Sequence, residues 1–578
     1  MISYLHKYGY YYGFFILGIV LFFPFLGNFH LFDWDEINFA ESSREMLLSG
    51  NFMHVQIDFE PFQEKPPLFF WIQSFSMKVF GVNEFAARFP NALIGIISML
   101  VLFNIGKKIR DNRFGLIWVL VYIGSFLPFL YFRSGIIDPL FNLFIFLGVF
   151  KLLTLTGTLE KKQRYKYALF AGLFIGMAII TKGPVGFLLL FLTFIVYWAL
   201  ERFRKIISFK EILIFCFSAF LITCLWFGYE TFKNGPWFLL EFINYQIELF
   251  SQPVAGHEQP FYYHFIIILI GCFPMSIIAL PRFFKTNIEE QFSIERWMKI
   301  LFWVVLILFT IVSTKIVHYS SMCYLPLSFL AALELYDWKN IEYIKKWILG
   351  VLVGIGSVFS FCLVAVPLIA INKEGWLIPI VEDPFALASL DLNVGWKGYE
   401  YLIGFLYAIA LFFFIGCLYK RKIEFALIVL VIGLGSSMIL FSKYVVPKIE
   451  MYSQGPAIEF YESIQDENKY VITVGFKSYA HYFYARTNQL DPSDSLFHVK
   501  ERKLNELLGD NTANRLNSKQ KKHFDSDVLE WLKNGDIDKT VYFVSRIDRE
   551  HQLEDHQNID KLYNKGGFVF YKRAPKKE

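Results

Sequence analysis

Apolar runs of about 20 residues, the length of helix that crosses a hydrocarbon core of about 30 Å, recur along most of the chain. They mark candidate spans at 10–27, 88–106, 114–132, 135–153, 166–181, 183–200, 211–228, 261–281, 298–313, 318–336, 346–370, 398–418 and 423–441, thirteen in all. The pairs that meet at Arg133 and at Lys182-Gly183-Pro184 are divided by so few polar residues that each also reads as one broken or re-entrant element. The first run, Tyr10 to Leu26, continues into Gly27-Asn28-Phe29-His30 without a small-x-small cleavage site and reads as an uncleaved span.

Charge placement orients these spans. Basic clusters at Lys107 to Arg113, Lys161 to Lys166, Arg202 to Lys205, Arg282 to Lys285, Lys345-Lys346 and Lys420 to Lys422 alternate with acidic or mixed connections at 28–87, 229–260, 371–397 and from 442 onward. The positive-inside rule therefore predicts a cytoplasmic N-terminus and a tail on the opposite face. In that tail, Tyr470 to Val474, Thr540 to Val544 and Gly566 to Tyr571 read as strands, and Leu496 to Leu508 and Asp527 to Lys533 as helical. The expected fold is a polytopic α-helical membrane protein, a transmembrane domain over 1–441 with a large first outer loop at 28–87, followed by an α/β domain over 442–578.

Composition agrees: 55% hydrophobic and 19% charged residues exclude a soluble chain, which carries about 25% charge. The net charge of +5 is too small to argue for nucleic-acid binding. The six cysteines lie in or beside apolar runs, with no CxxC or Cys/His spacing, so neither a disulfide framework nor a structural zinc site is indicated.

Candidate chemistry gathers on the outer side. Asp33, Asp35, Glu36 and Glu41 precede or open a helical stretch, Asp35 to Leu48, whose Phe39, Met46 and Leu47 could rest on the bilayer, and Pro67 to Phe80 forms a second amphipathic stretch. Acids there either cap the helix or, at headgroup height, serve as a base. Lys65, beside Glu64, either snorkels or awaits a phosphate. Asp138 sits in an apolar span and needs a counter-charge, Arg133 or Lys182. Lys182 and Lys315 are lone cations in outer turns, and His318-Tyr319 follows the latter. His257 reads as a hydrogen-bond partner or, less simply, a metal ligand. The abundance of acids leaves a divalent cation possible, yet no ligand spacing defines a metal site or any other cofactor.

In order along the chain, Asp35-Glu36 with Ala40-Glu41, Glu64-Lys65-Pro66-Pro67, Gly81 to Arg88, Asp138, Thr181-Lys182-Gly183-Pro184 and Lys315 with His318-Tyr319 resemble the C-type integral-membrane glycosyltransferases that use lipid-phosphate sugars. The nearest likeness is to the bacterial lipid A aminoarabinose transferases, which are related to the protein O-mannosyltransferases. The resemblance covers the whole chain and implies a bacterial inner-membrane enzyme with a periplasmic C-terminal domain. It further implies inverting transfer of a sugar from an undecaprenyl (polyprenyl) phosphate donor to lipid A, another glycolipid or a protein at the periplasmic face. On this resemblance Asp35 is the base or acceptor-orienting group, with Glu36 and Asp138 beside it, and Lys65, Lys182 and Lys315 hold the donor phosphate. Asp33, Glu41, Glu64, Arg133, His257, His318 and Tyr319 would support the cavity. The sequence departs from the pattern at Asn38-Phe39, where the group commonly has Arg-Tyr, and at Gln246 to Phe250, which lacks an expected arginine.

Two rival readings predict different features. A transporter of lipid-linked sugars needs buried charge near the midplane and an inverted repeat, and the sequence displays neither. A scaffold would use the acids as caps only.

Overall fold

The computed structural model describes residues 2–62, 64–252, 258–285, 293–338, 344–508, 516 and 518–575. Side-chain caps set where several of its apolar helices begin. After α1 (Ile2–Phe22), α2 (Asp35–Ser49) and α3 (Leu68–Phe80), the Asn83 side chain accepts the Ala86 N–H at 2.8 Å and opens the 26-residue α4 (Glu84–Ile109). Lys107 and Lys108 close that helix as its dipole favours. Asp111 caps α5 (Asn112–Ile123), and α6 (Phe126–Tyr131), α7 (Asp138–Thr156), α8 (Lys161–Lys182) and α9 (Val185–Leu200) follow. Ser208 and Glu211 form a reciprocal capping box on α10 (Phe209–Thr223).

Among the described residues, seven helices are long and apolar enough to cross a membrane, and one bent helix pair meets the same test when its two halves are taken together. The chain is a polytopic helical membrane protein. The straight span expected over 261–281 is instead two helices, Tyr263–Gly271 and Met275–Phe283, bent by 114°. The run at 114–132 is also divided, because α5 stops at Gly124-Ser125 before α6 begins.

The first loop departs from a bilayer-resting posture. A surface helix keeps one face wet, but Phe39, Glu41, Ser42, Ser43, Glu45 and Met46 of α2 are all buried. α3 packs on one side, the short helix Ala480–Tyr484 on another, and the hairpin β1 (Gln56–Ile57) and β2 (Glu60–Pro61) closes the end.

Beyond Tyr444 the chain builds a mixed sheet from β3 (Lys469–Val474), β4 (Thr540–Arg546), β5 (Asp560–Lys565) and β6 (Phe568–Arg573), ordered β3-β4-β6-β5. Strands β3 and β4 are parallel and the other two pairings antiparallel. Alternation splits the sheet's residues between two cores. Val541, Phe543, Val569 and Tyr571 pack with Phe524, Val528 and Leu532. Tyr542, Val544, Phe568 and Phe570 share a core with Ile458 and Phe460 and also with Ile37 and Ala40 of α2 and Ala86 and Ala87 of α4. This common core fixes the segment after β3 above the start of α2.

Candidate active site

A cavity of about 440 Å³ brings together Asp35, Lys65, Asp138, Lys182, His318 and Tyr319, which lie far apart in the sequence. Each is placed by a local device. Asp35 begins α2 directly after Trp34, which adopts φ 76°, a left-handed conformation costly for a bulky residue. Asp138 begins α7, where the helix N-terminus favours its charge. Lys182 ends α8 because Gly183 turns the chain at φ +113°, and a Cβ there would lie 2.9 Å from Phe242. His318 and Tyr319 ride a 3₁₀ turn, Val317–Cys323.

Lys182 Nζ donates to Asp138 Oδ1 at 2.6 Å, and the Ser321 hydroxyl donates to the same oxygen at 3.5 Å. Asp138 therefore takes Lys182, not Arg133, as its counter-charge. His318 Nε2 lies 3.5 Å from Asp35 Oδ2. Lys65 Nζ is 3.9 Å from Glu64 and 5.8 Å from the Tyr245 ring centroid. Burial pushes the Lys65 ammonium below 10.5, Glu64 opposes the shift and Lys182 reinforces it. A phosphate arriving there would relieve two confined cations.

A second cavity of about 400 Å³ continues from the first and shares Lys65, Asp138, Lys182 and Tyr319 with it. Its remaining wall is largely apolar, from Phe141, Val185, Leu188, Leu308, Phe309 and Met322. The pair thus presents two cations at the seam between a polar chamber and an apolar groove, a shape suited to a phosphate on a hydrocarbon tail.

Several expected site residues serve the scaffold instead. Glu36 borders the polar chamber but is corrected from a catalytic to a structural group, because Arg88, the Gly135 N–H and the Phe32 N–H occupy both its oxygens. Glu41 is tied up by Arg44, which also donates to the Thr487 carbonyl. Arg133 donates to the carbonyls of Leu21, Phe22 and Pro24 at the end of α1, and Lys315 Nζ donates to the Val312 carbonyl at 2.9 Å. Glu41, Arg133 and Lys315 line neither cavity. Asp33 reaches the polar chamber but also accepts from the Ser478 hydroxyl and the Tyr479 N–H, locking the first loop to the C-terminal unit. His257 lies outside the described residues. Asn38 faces the chamber, with its Oδ1 buried and without a hydrogen-bond partner among the described residues.

Sequence reasoning missed Trp34, Tyr245, Lys477 and Tyr479, all on the chamber wall. Lys477 lies 5.2 Å from the ring centroids of both Trp34 and Tyr479. Nothing local marks Lys477 or Tyr479, because the core shared between sheet and α2, with the Asp33 and Arg44 hydrogen bonds, brings the tail to the first loop.

Comparison with known proteins follows the same lines. A family model for dolichyl-phosphate-mannose-protein mannosyltransferases matches residues 64–226. The undecaprenyl phosphate-alpha-4-amino-4-deoxy-L-arabinose arabinosyl transferase of Wigglesworthia glossinidia brevipalpis is 28% identical over 320 residues, covering 53% of this chain and 54% of that protein. Its counterpart in Edwardsiella ictaluri is 27% identical, covering 58% and 61%. The chain spans about half the length of the curated relatives it matches. The crystal structure of ArnT from Cupriavidus metallidurans bound to undecaprenyl phosphate has a similar fold, with a TM-score of 0.75 at 18% identity and 98% coverage of both chains. The resemblance to the C-type membrane glycosyltransferases stands.

Proposed function

We propose that this relative of the C-type membrane glycosyltransferases transfers a sugar from an undecaprenyl phosphate donor to an envelope glycolipid, lipid A first, at the periplasmic face of the inner membrane. The observation that supports this reading best is the seam of Lys65 and Lys182 between the polar chamber and the apolar groove, with Asp35 across the chamber. The polyprenyl tail occupies the groove and its phosphate meets the two lysines. Asp35 takes the proton of an acceptor hydroxyl, or orients an acceptor already ionised, and the acceptor oxygen attacks the anomeric carbon from the face opposite the phosphate. The bond from that carbon to the phosphate oxygen breaks, and its electron pair stays on the oxygen, where fixed cations stabilise the added charge. Configuration inverts. Asp138 holds Lys182 in place. In this reading thirteen spans put the N-terminus in the cytoplasm and the unit over 442–578 in the periplasm.

A protein acceptor is the second reading, favoured by the description of the family model that matches residues 64–226. Mass spectrometry of lipid A and envelope glycoproteins decides between them. Cells lacking the gene are compared with cells complemented by the wild type or by Asp35→Asn. A sugar-sized mass on lipid A, restored by wild type alone, supports the first reading. The same pattern on a protein supports the second, and identical profiles in all strains refute both.

A further inference from the structure

A cavity of about 590 Å³ lies where the start of the first loop and the head of α4 meet the C-terminal unit, and it shares no lining residue with the polar chamber. We propose that His30, Glu84 and Glu462 there bind a divalent metal ion, Zn²⁺ by its ligand chemistry, which ties the membrane helices to the C-terminal unit. One potential ligand atom from each of the three residues lies within 4.8 Å of the others.

The orientation of His30 carries the argument. Its Nδ1 is 2.8 Å from Glu450 Oε1, and Glu450, only 5% exposed, also accepts the His30 backbone N–H at 3.2 Å and the Gln454 side-chain amide at 3.2 Å. A buried carboxylate that fixes one ring nitrogen and frees the other is the usual outer support of a metal-bound histidine. The freed Nε2 stands 3.7 Å from Glu462 Oε1, beyond hydrogen-bond reach. Two ligands each about 2.0–2.1 Å from a tetrahedral zinc lie roughly 3.4 Å apart, so a small adjustment closes the site.

Charge balance points the same way. Lys448 and Lys565 of this cavity are already paired, with Glu400 and Glu459. Arg486 donates to the Val82 carbonyl and acts on Glu84 and Glu462 only from longer range. Three carboxylates, Glu84, Glu450 and Glu462, therefore surround a single imidazole. A dication compensates that excess where a proton on His30 does so only in part.

The test uses the full chain in detergent, stripped with a chelator and titrated with Zn²⁺ alone, read by elemental analysis, calorimetry and thermal unfolding. One Zn²⁺ per chain and a higher Tm with zinc are expected. Binding weakens at least tenfold in Glu462→Gln and about 10–100-fold in Glu450→Gln, disappears in His30→Gln and persists in Asp35→Asn. The Glu462 side chain is 42% exposed, so its variant folds and decides the matter even if His30→Gln does not. Absence of saturable binding, or equal affinity in wild type and Glu462→Gln, overturns the proposal. So does zinc lost from Asp35→Asn but kept by Glu462→Gln, which places the ion in the polar chamber.

Discussion

Asp35 and Glu36 are adjacent carboxylates at the head of one helix and both border the polar chamber, yet their hydrogen-bond surroundings differ. Glu36 faces inward, 3% exposed, with four donors on its two oxygens. Its partner Arg88 also donates to the carbonyls of Leu26, Phe29 and His30, so the pair stitches the end of the first span to α2 and α4. The Asp35 side chain is 38% exposed on the chamber, with the His318 ring nitrogen Nε2 at 3.5 Å. A carboxylate whose lone pairs are filled by the fold has nothing left for a substrate. One that keeps them open can accept a proton. Helix position and residue type are the same, and the number of committed donors separates framework from chemistry.

The sharpest way to break this distinction is to neutralise Asp35. Asp35→Asn should lower sugar transfer by about 10²–10⁴-fold, the range of a lost general base, while its Tm stays within a few degrees of wild type. A Tm collapse would make Asp35 a second framework group. Glu36→Gln should do the reverse, destabilising by about 3–5 kcal/mol because Arg88 is left buried without its counter-charge. Thermal unfolding in detergent measures it. Burial opposes ionisation of Glu36, but Arg88 and the backbone donors outweigh it and hold the carboxyl below 4.5. Its stabilisation is therefore complete above about pH 4.5 and fades as pH falls through the lower folded value. Glu36→Gln should lack that acid limb.

Lys65 tests the chamber itself. Lys65→Ala should weaken binding of undecaprenyl phosphate by about 10–100-fold, the worth of a hydrogen bond to a charged group, read by tryptophan quenching or a labelled-lipid assay. Because burial lowers the pKa of Lys65 from 10.5, affinity should already decline with rising pH before pH 10.5. Lys65→Arg, protonated throughout, should remove that decline even where absolute affinity falls. A decline that survives in Lys65→Arg would assign it to another group.

How much of this was legible in the sequence depends on the range of the signal. Apolar runs and the strands around Tyr470 and Thr540 are local, and the chain announced them. Asp138 and Lys182 stood out as charges in apolar surroundings, where burial demands a reason, and Asp35 and Lys65 through the acid cluster at 33–41 and the Glu64-Lys65-Pro66-Pro67 run. Sequence alone could not sort Asp35 from Glu36, because the sorting is done by Arg88 and Gly135, 52 and 99 residues away. Nor could it foresee that α2 would be covered rather than rest on lipid, since its cover comes from α3 and from residues 480–484. Lys477 and Tyr479 were invisible for the same reason. The bend at Cys272 to Pro274 was hidden because hydropathy reports apolar length and not direction.

The smallest effect is the most discriminating for the cations. Lys182 and Lys315 look alike in sequence, each a lone lysine after a threonine between two apolar runs. Lys182 lines both cavities and pairs with Asp138, whereas Lys315, 8% exposed, turns to the Val312 carbonyl and lines neither. Lys182→Gln leaves Asp138 buried without its counter-charge and removes one of the two cations at the seam, so donor affinity should fall by an order of magnitude or more. Lys315→Gln should keep donor affinity within about twofold, roughly 0.4 kcal/mol, because the amide can still donate to the same carbonyl and no substrate-facing charge is lost. Equal losses in the two variants would mean that Lys315 swings into the chamber when the lipid phosphate arrives, and the division between framework and chemistry would then hold only for the empty site.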